Sequence, residues 1–184
     1  MDKSTIISIA VIVGFLVLGG VYTYITQSRV LVSEHGTEAS QTVVVPADTP
    51  YTDLEGNPFT FDTFTGQVQV VNSWASWCPF CTRELADFEQ LAKEYKNQNV
   101  AVIAINRNET KERASAFLAS AGEFPNVHFA IDLADAYYAS IGGFSMPETV
   151  FYDTRGNIVI HKRGFMDIDE MRTHTQAAIN IQPQ

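Results

Sequence analysis

Cysteine is nearly missing from this chain of 184 residues: only Cys78 and Cys81 are present. That scarcity excludes a disulfide framework, and any disulfide within the chain must join these two. It also argues against a structural zinc site. No second cysteine pair exists, and His35, His128, His161 and His174 are scattered without finger spacing. Positive charge is short as well. Lys and Arg number 12 against 21 Asp and Glu, a net charge of −9, which argues against nucleic acid and anionic lipid as partners. Internal repeats and low-complexity tracts are absent, so a repeat architecture is excluded.

The two cysteines that are there sit together, in Trp77-Cys78-Pro79-Phe80-Cys81. Two intervening residues is the spacing at which one helical turn brings both sulfurs into bonding range. The first sulfur then falls at the helix start, where unsatisfied backbone N–H groups favour a thiolate. A bond closing so short a loop stabilises a fold little. The pair therefore reads as reversible thiol–disulfide exchange, with Cys78 as nucleophile and Cys81 as the resolving thiol. Two other readings compete. The pair can be inert and buried, or it can hold copper with His128 or Met146 as a third ligand.

Thr5–Ile25 carries no charge and is rich in Ile, Val, Leu and Gly. As a helix it extends about 32 Å, enough to cross the hydrocarbon core of a bilayer. Tyr22-Thr23-Tyr24 at the end of the run are a poor cleavage context but suit a membrane interface, which favours an anchor over a cleaved signal. Lys3 before the span and Arg29 after it leave the orientation open by charge alone. A disulfide chemistry favours the folded part outside the cytoplasm. The expected organisation is an anchor over 1–26, a polar linker over 27–49 with an apolar patch at Val43-Val44-Val45, and one domain over 50–184.

Within that domain, Tyr51–Leu54 and Pro58–Phe61 flank Glu55-Gly56-Asn57 as a hairpin. Val68–Asn72 is a strand leading straight into the cysteine motif. Phe80–Asn97 carries Leu85, Phe88, Leu91, Ala92 and Tyr95 at helical spacing. Val100–Ile105 is a continuous apolar run, the pattern of a strand buried on both faces. A helix over Thr110–Ser120, a strand over Val127–Ile131 and a short helix over Ala134–Ser140 follow. A second hairpin joins Thr149–Tyr152 to Ile158–Arg163, and Asp167 or Asp169 caps a last helix. Alternating strands and helices predict an α/β domain, a central mixed sheet covered by helices on both faces. Functional groups of such sheets gather at the carboxyl ends of strands, where Cys78 falls.

Three motifs together resemble the thioredoxin superfamily and, within it, the membrane-anchored TlpA/ResA/DsbE (CcmG) family of thiol–disulfide oxidoreductases. Val71-Asn72-Ser73-Trp74-Ala75-Ser76-Trp77-Cys78-Pro79-Phe80-Cys81 is similar to that family's active-site strand and turn. Glu84 matches its Cys-x-x-Cys-x-x-Glu pattern, and Met146-Pro147-Glu148-Thr149 resembles its cis-proline segment. The resemblance implies a thioredoxin-like fold preceded by one transmembrane helix, and no cofactor or metal beyond the Cys78–Cys81 pair. It implies that Glu84 takes the Cys81 proton, although a Glu on a helix is ordinarily a solvated surface charge. It implies that Trp77, Pro79, Phe80, Met146 and a cis Pro147 line the substrate groove; Trp74 is a rim residue or plain core. It further implies a reductase of exported disulfide proteins such as apocytochrome c, fed by a membrane thiol donor of the CcdA/DsbD type. Running as an oxidant is the alternative, because direction depends on potential rather than motif. Three positions depart from the pattern. Asn72 stands where thioredoxin has an aspartate, Ser145 replaces a common glycine, and Gly143 replaces a usual aliphatic residue. Glu148 either repels acidic partners or points to water.

Overall fold

A computed structural model describes residues 51–181. The expected anchor over 1–26, the linker over 27–49 and its Val43–Val45 patch lie outside the described residues. Among the described residues, no helix is long and apolar enough to cross a membrane.

The seven strands of the described residues are β1 (Tyr51–Thr52), β2 (Pro58–Phe59), β3 (Val68–Trp74), β4 (Val100–Arg107), β5 (His128–Asp132), β6 (Glu148–Tyr152) and β7 (Ile158–Arg163). They form one sheet in the order β2-β1-β5-β4-β3-β6-β7. The central β5, β4 and β3 are parallel, and the flanking strands run antiparallel to their neighbours. The helices are α1 (Pro79–Tyr95), α2 (Lys111–Ala121), α3 (Ala136–Ser140) and α4 (Ile168–Asn180). The expected α/β class and its mixed sheet are present. The boundaries move by a few residues: β3 runs on through Ser73 and Trp74, which pair with Ile105 and Asn106 of a longer β4.

With both sheet faces covered, period-2 alternation explains why β4 reads as an unbroken apolar run and why Val70 and Val71 stand side by side in β3. Val70, Val102 and Ala104 join a core on one sheet face with Leu85, Phe88 and Leu91 of α1 and Met171 and Ala178 of α4. Val71, Ala101, Ile103 and Ile105 join a second core on the other face with Tyr137 and Tyr152. Each fully buried Val, Leu, Ile or Phe contributes about 1.5–3 kcal/mol, so both faces must be covered. A turn of 3-10 helix over Phe61–Phe64, which periodicity does not reveal, helps close the second face by stacking Phe61 on Tyr137.

Both hairpins turn on one device, Asp53-x-x-Gly56-Asn57 and Asp153-x-x-Gly156-Asn157. In each, an aspartate oxygen accepts two backbone N–H groups across the turn, and the glycine takes the left-handed conformation the turn requires. Asp167, rather than Asp169, caps α4 by accepting the N–H of Glu170 at 2.9 Å.

Candidate active site

The last residue of β3 is Trp74, and four residues later Cys78 caps α1, with Pro79 at the first helical position. Cys78 and Cys81 are joined as a disulfide. The backbone N–H of Cys81 points at the Cys78 sulfur at 3.2 Å, a donor that stabilises negative charge there when the bond opens. Exposure separates the two sulfurs: Cys78 is 4% exposed and Cys81 0%. An incoming sulfur reaches Cys78 first.

Around this point the surface is aromatic. Trp77 and Phe80 are each more than half exposed, and Phe144 is 84% exposed. Trp74 is fully buried, packed near Phe117 and Phe129. Of the rim residues expected from sequence, Trp77 and Phe80 lie at the surface, whereas Trp74 belongs to the core.

Glu84 is not a surface charge. It lies one turn beyond Cys81 on the buried stripe of α1 and is 0% exposed. One oxygen accepts the backbone N–H of Met166 at 2.5 Å, and the other lies 3.5 Å from the Asn72 amide nitrogen. Asn72 gives its stronger bond to Thr149, at 3.0 Å, and its Oδ1 has no hydrogen-bond partner among the described residues. Burial dominates, and pushes the Glu84 carboxyl up to about 8 despite the Met166 bond. At neutral pH it is a neutral acid whose proton affinity is close to that of a thiol. Such a group can pass a proton to a departing Cys81 sulfur and take it back.

The peptide between Met146 and Pro147 is cis. The pairing of Ser73 with Glu148 sets Pro147 level with Trp74, at the carboxyl end of β3. Glu148 neither points to water nor faces partners, contrary to both readings offered by sequence. It is 0% exposed and accepts the N–H groups of Phe144 and Ser145 at 2.6 and 2.5 Å and His161 Nε2 at 2.6 Å. Burial alone would raise its pKa; the N–H groups of Ser145 and Phe144, with His161, outweigh burial and lower it. Tyr138 braces the same loop by donating to the Ser145 carbonyl at 2.7 Å, while the Arg107 guanidinium covers its ring at 3.5 Å. Gly143 makes this possible. A Cβ there would stand 2.4–2.5 Å from the Tyr138 ring, so the aliphatic residue expected at this position has been exchanged for a tyrosine packed from the side.

On the opposite side, Glu109 fixes the segment entering the cysteines. It accepts the N–H and hydroxyl of Ser76 at 2.7 and 2.6 Å, the Asn106 amide at 2.8 Å and Arg113 at 2.8 Å. Nothing in the sequence marks Glu109, because its partners come from the turn after β3, from β4 and from α2. His128 lies at the amino end of β5, paired with Ile103 and against Phe64 at 4.8 Å. The cysteines follow the carboxyl end of β3, so the copper reading loses His128 as a ligand. Among the described residues no group of three or more His, Cys, Asp or Glu could hold a metal ion.

The Redoxin family profile matches residues 36–179. The chain is 34% identical over 118 residues to the thiol-disulfide oxidoreductase ResA of Halalkalibacterium halodurans, covering 62% of this chain and 65% of that one. It is 38% identical over 104 residues to the thiol:disulfide interchange protein DsbE of Allochromatium vinosum, covering 56% and 55%. The chain thus spans about two thirds or less of these two relatives. Among solved structures, a DsbE-type thiol:disulfide interchange protein from Chlorobium tepidum superposes with a TM-score of 0.63 at 25% identity, covering 70% of this chain and 91% of that one. The fold is thioredoxin-like.

Proposed function

The chain belongs to the redoxin family, and on that footing we propose that it is a thiol–disulfide oxidoreductase of the ResA/DsbE type whose reactive element is the Cys78–Cys81 pair. The observation that carries this reading is the asymmetry of the pair: Cys78 caps the helix and keeps a 4% exposure, whereas Cys81 is wholly buried one turn from a carboxyl that burial keeps mostly protonated. In the reducing direction the Cys78 thiolate attacks a substrate disulfide. One substrate sulfur leaves as a thiol, and a mixed disulfide joins Cys78 to the other. Cys81 gives its proton to Glu84 in the ionised fraction that a pKa of about 8 leaves at neutral pH, then attacks the Cys78 sulfur, forming the Cys78–Cys81 bond and releasing the second substrate thiol. The substrate gains two electrons and two protons, and the protein dithiol loses both.

We assign the net direction as reduction of exported proteins such as apocytochrome c. The chain is tethered by a membrane helix over 1–26 and a linker over 27–49, with the domain outside the cytoplasm and a membrane thiol donor of the CcdA/DsbD type restoring the dithiol. Support comes from the Pro147-Glu148-Thr149 likeness to the DsbE group and the apolar run Thr5–Ile25. Trp77, Pro79, Phe80, Met146 and Pro147 form the groove for the substrate strand. Two measurements test this. Cys78→Ser abolishes insulin disulfide reduction and Cys81→Ser accumulates mixed disulfides; turnover by the Cys78→Ser protein removes the mechanism. A reduction potential at or below roughly −270 mV, that of thioredoxin, supports the reducing direction, whereas one near −120 mV makes the protein an oxidant.

A further inference from the structure

We propose that Arg83 is a receptor for a carboxylate flanking the substrate's cysteine, so that the site selects cysteine segments bearing Asp or Glu beside the thiol. This rests on the exchange reaction above and adds the chemistry of the substrate to it.

The described residues contain six arginines, and five of them hold ion pairs. Arg107 pairs with Asp135, Arg113 with Glu109, Arg155 with Asp153, Arg163 with Glu148, and Arg172 with Glu94 and Asp169. Arg83 alone holds none, and among the described residues it makes no hydrogen bond. Asp87, one turn further along α1, is within its reach in principle, yet the two are not paired. Arg83 lies instead against the rings of Phe80 and Phe165, its guanidinium carbon 6.0 and 4.8 Å from their centroids. The rings themselves are 6.4 Å apart.

Three physical points turn this placement into a function. Helix stability does not explain it: α1 has no acidic residue in its first turn, and a cation near a helix amino end works against the macrodipole. Cation–π contact engages the guanidinium through its face and leaves its five N–H donors, which lie in its plane, for another acceptor. The location is at the chemistry, since Phe80 lies between the two cysteines in sequence and is more than half exposed. The protein as a whole carries a net charge of −9 and repels acidic partners at long range. A cation unpaired within the protein and held against Phe80, the residue just before Cys81, offsets this at one point only, and its fork matches a carboxylate.

The test uses the full chain in its disulfide form and short peptides with one cysteine, carrying Glu or Gln at each of the two positions on either side. The peptide thiolate attacks Cys78, breaking the Cys78–Cys81 bond and leaving Cys81 as a thiol. A second peptide thiolate then releases a peptide disulfide and the protein dithiol. Rates are expressed per peptide thiolate, so that the effect of Glu on the peptide's own ionisation drops out. Wild type favours the Glu peptide in at least one position by about fivefold at low salt, the size of one well-formed surface ion pair, and 0.5 M salt erodes the preference. Arg83→Gln brings the Glu/Gln ratio to one, and Arg83→Glu inverts it. A ratio of one in wild type, or a ratio unchanged by Arg83→Gln, overturns the proposal. Dithiothreitol serves as the uncharged control. Normal reduction by dithiothreitol without a Glu preference removes this inference alone, while a disulfide inert to dithiothreitol and peptides removes the exchange reading together with it.

Discussion

Two carboxyls flank the disulfide, Glu84 on the helix side and Glu148 on the cis-proline side, and both are 0% exposed. Their acidities nonetheless move in opposite directions, Glu84 up to about 8 and Glu148 below its ordinary value. Exposure alone does not separate them, but Glu84 lies deeper among protein atoms and has fewer donors. Glu148 has two backbone N–H groups and a histidine within 2.6 Å, enough to hold a charge in a dry place. Glu84 has one N–H at 2.5 Å and a distant amide, and desolvation wins. One side of the site is built to keep a charge and shape a loop, the other to keep a proton and pass it on.

The largest expected effect comes from Glu84. Its folded pKa lies above the unfolded value, so the unfolded chain ionises first as pH rises. Stability therefore falls between about pH 4.5 and 8, by on the order of 5 kcal/mol across the full shift. Glu84→Gln removes this slope and leaves the variant more stable than wild type at pH 8, while exchange slows by about 10²-fold or more and loses its ionisation near pH 8. Chemical denaturation at a series of pH values reads the first outcome and single-turnover kinetics the second. A wild-type profile flat from pH 5 to 8 would return Glu84 to an ordinary carboxylate.

Glu148 has the reverse sign. Its folded pKa is depressed, so its contribution is present above the ordinary carboxylate range and is lost as pH falls through the depressed value. Glu148→Gln leaves one of the two backbone N–H groups or His161 poorly satisfied, at a cost of about 1–3 kcal/mol. Because the damage falls on the Phe144–Pro147 loop, KM for a protein disulfide rises while the Cys78 thiol pKa stays near its wild-type value. Equal changes in both would blur the contrast between the two sides.

Gly143→Ala probes the same loop without touching a charge. The added methyl collides with the Tyr138 ring, and displacing it costs about 1–3 kcal/mol. Thermal denaturation reads the loss, and Tyr138→Phe, which keeps the ring, does not relieve it. Rescue by Tyr138→Leu in the double variant identifies the ring as the obstacle.

The helix side of the site was more legible in the sequence than the loop side. Cys81, Glu84, Leu85, Phe88 and Leu91 recur at three and four residues, so periodicity alone sets Glu84 on the stripe that faces the core. The surface-charge alternative for Glu84 weighed residue type above position. β3 and β4 were equally legible, because both faces are covered. Glu148 and Glu109 gave no such signal. Near neighbours supply part of their donors, Phe144 and Ser145 in one case and Asn106 and Arg113 in the other, but no apolar period marks either glutamate, and only the folded chain brings in His161 and Ser76. The role of Gly143 was hidden for the same reason, since the Tyr138 ring that requires it packs from the side.

The most direct measurement is a titration of the side-chain carboxyl carbons of Glu84 and Glu148 by NMR in the disulfide form, each assigned by its Gln variant. The account predicts a midpoint near 8 for Glu84 and one below the ordinary glutamate range for Glu148. Two midpoints that coincide near 4.5 would contradict it.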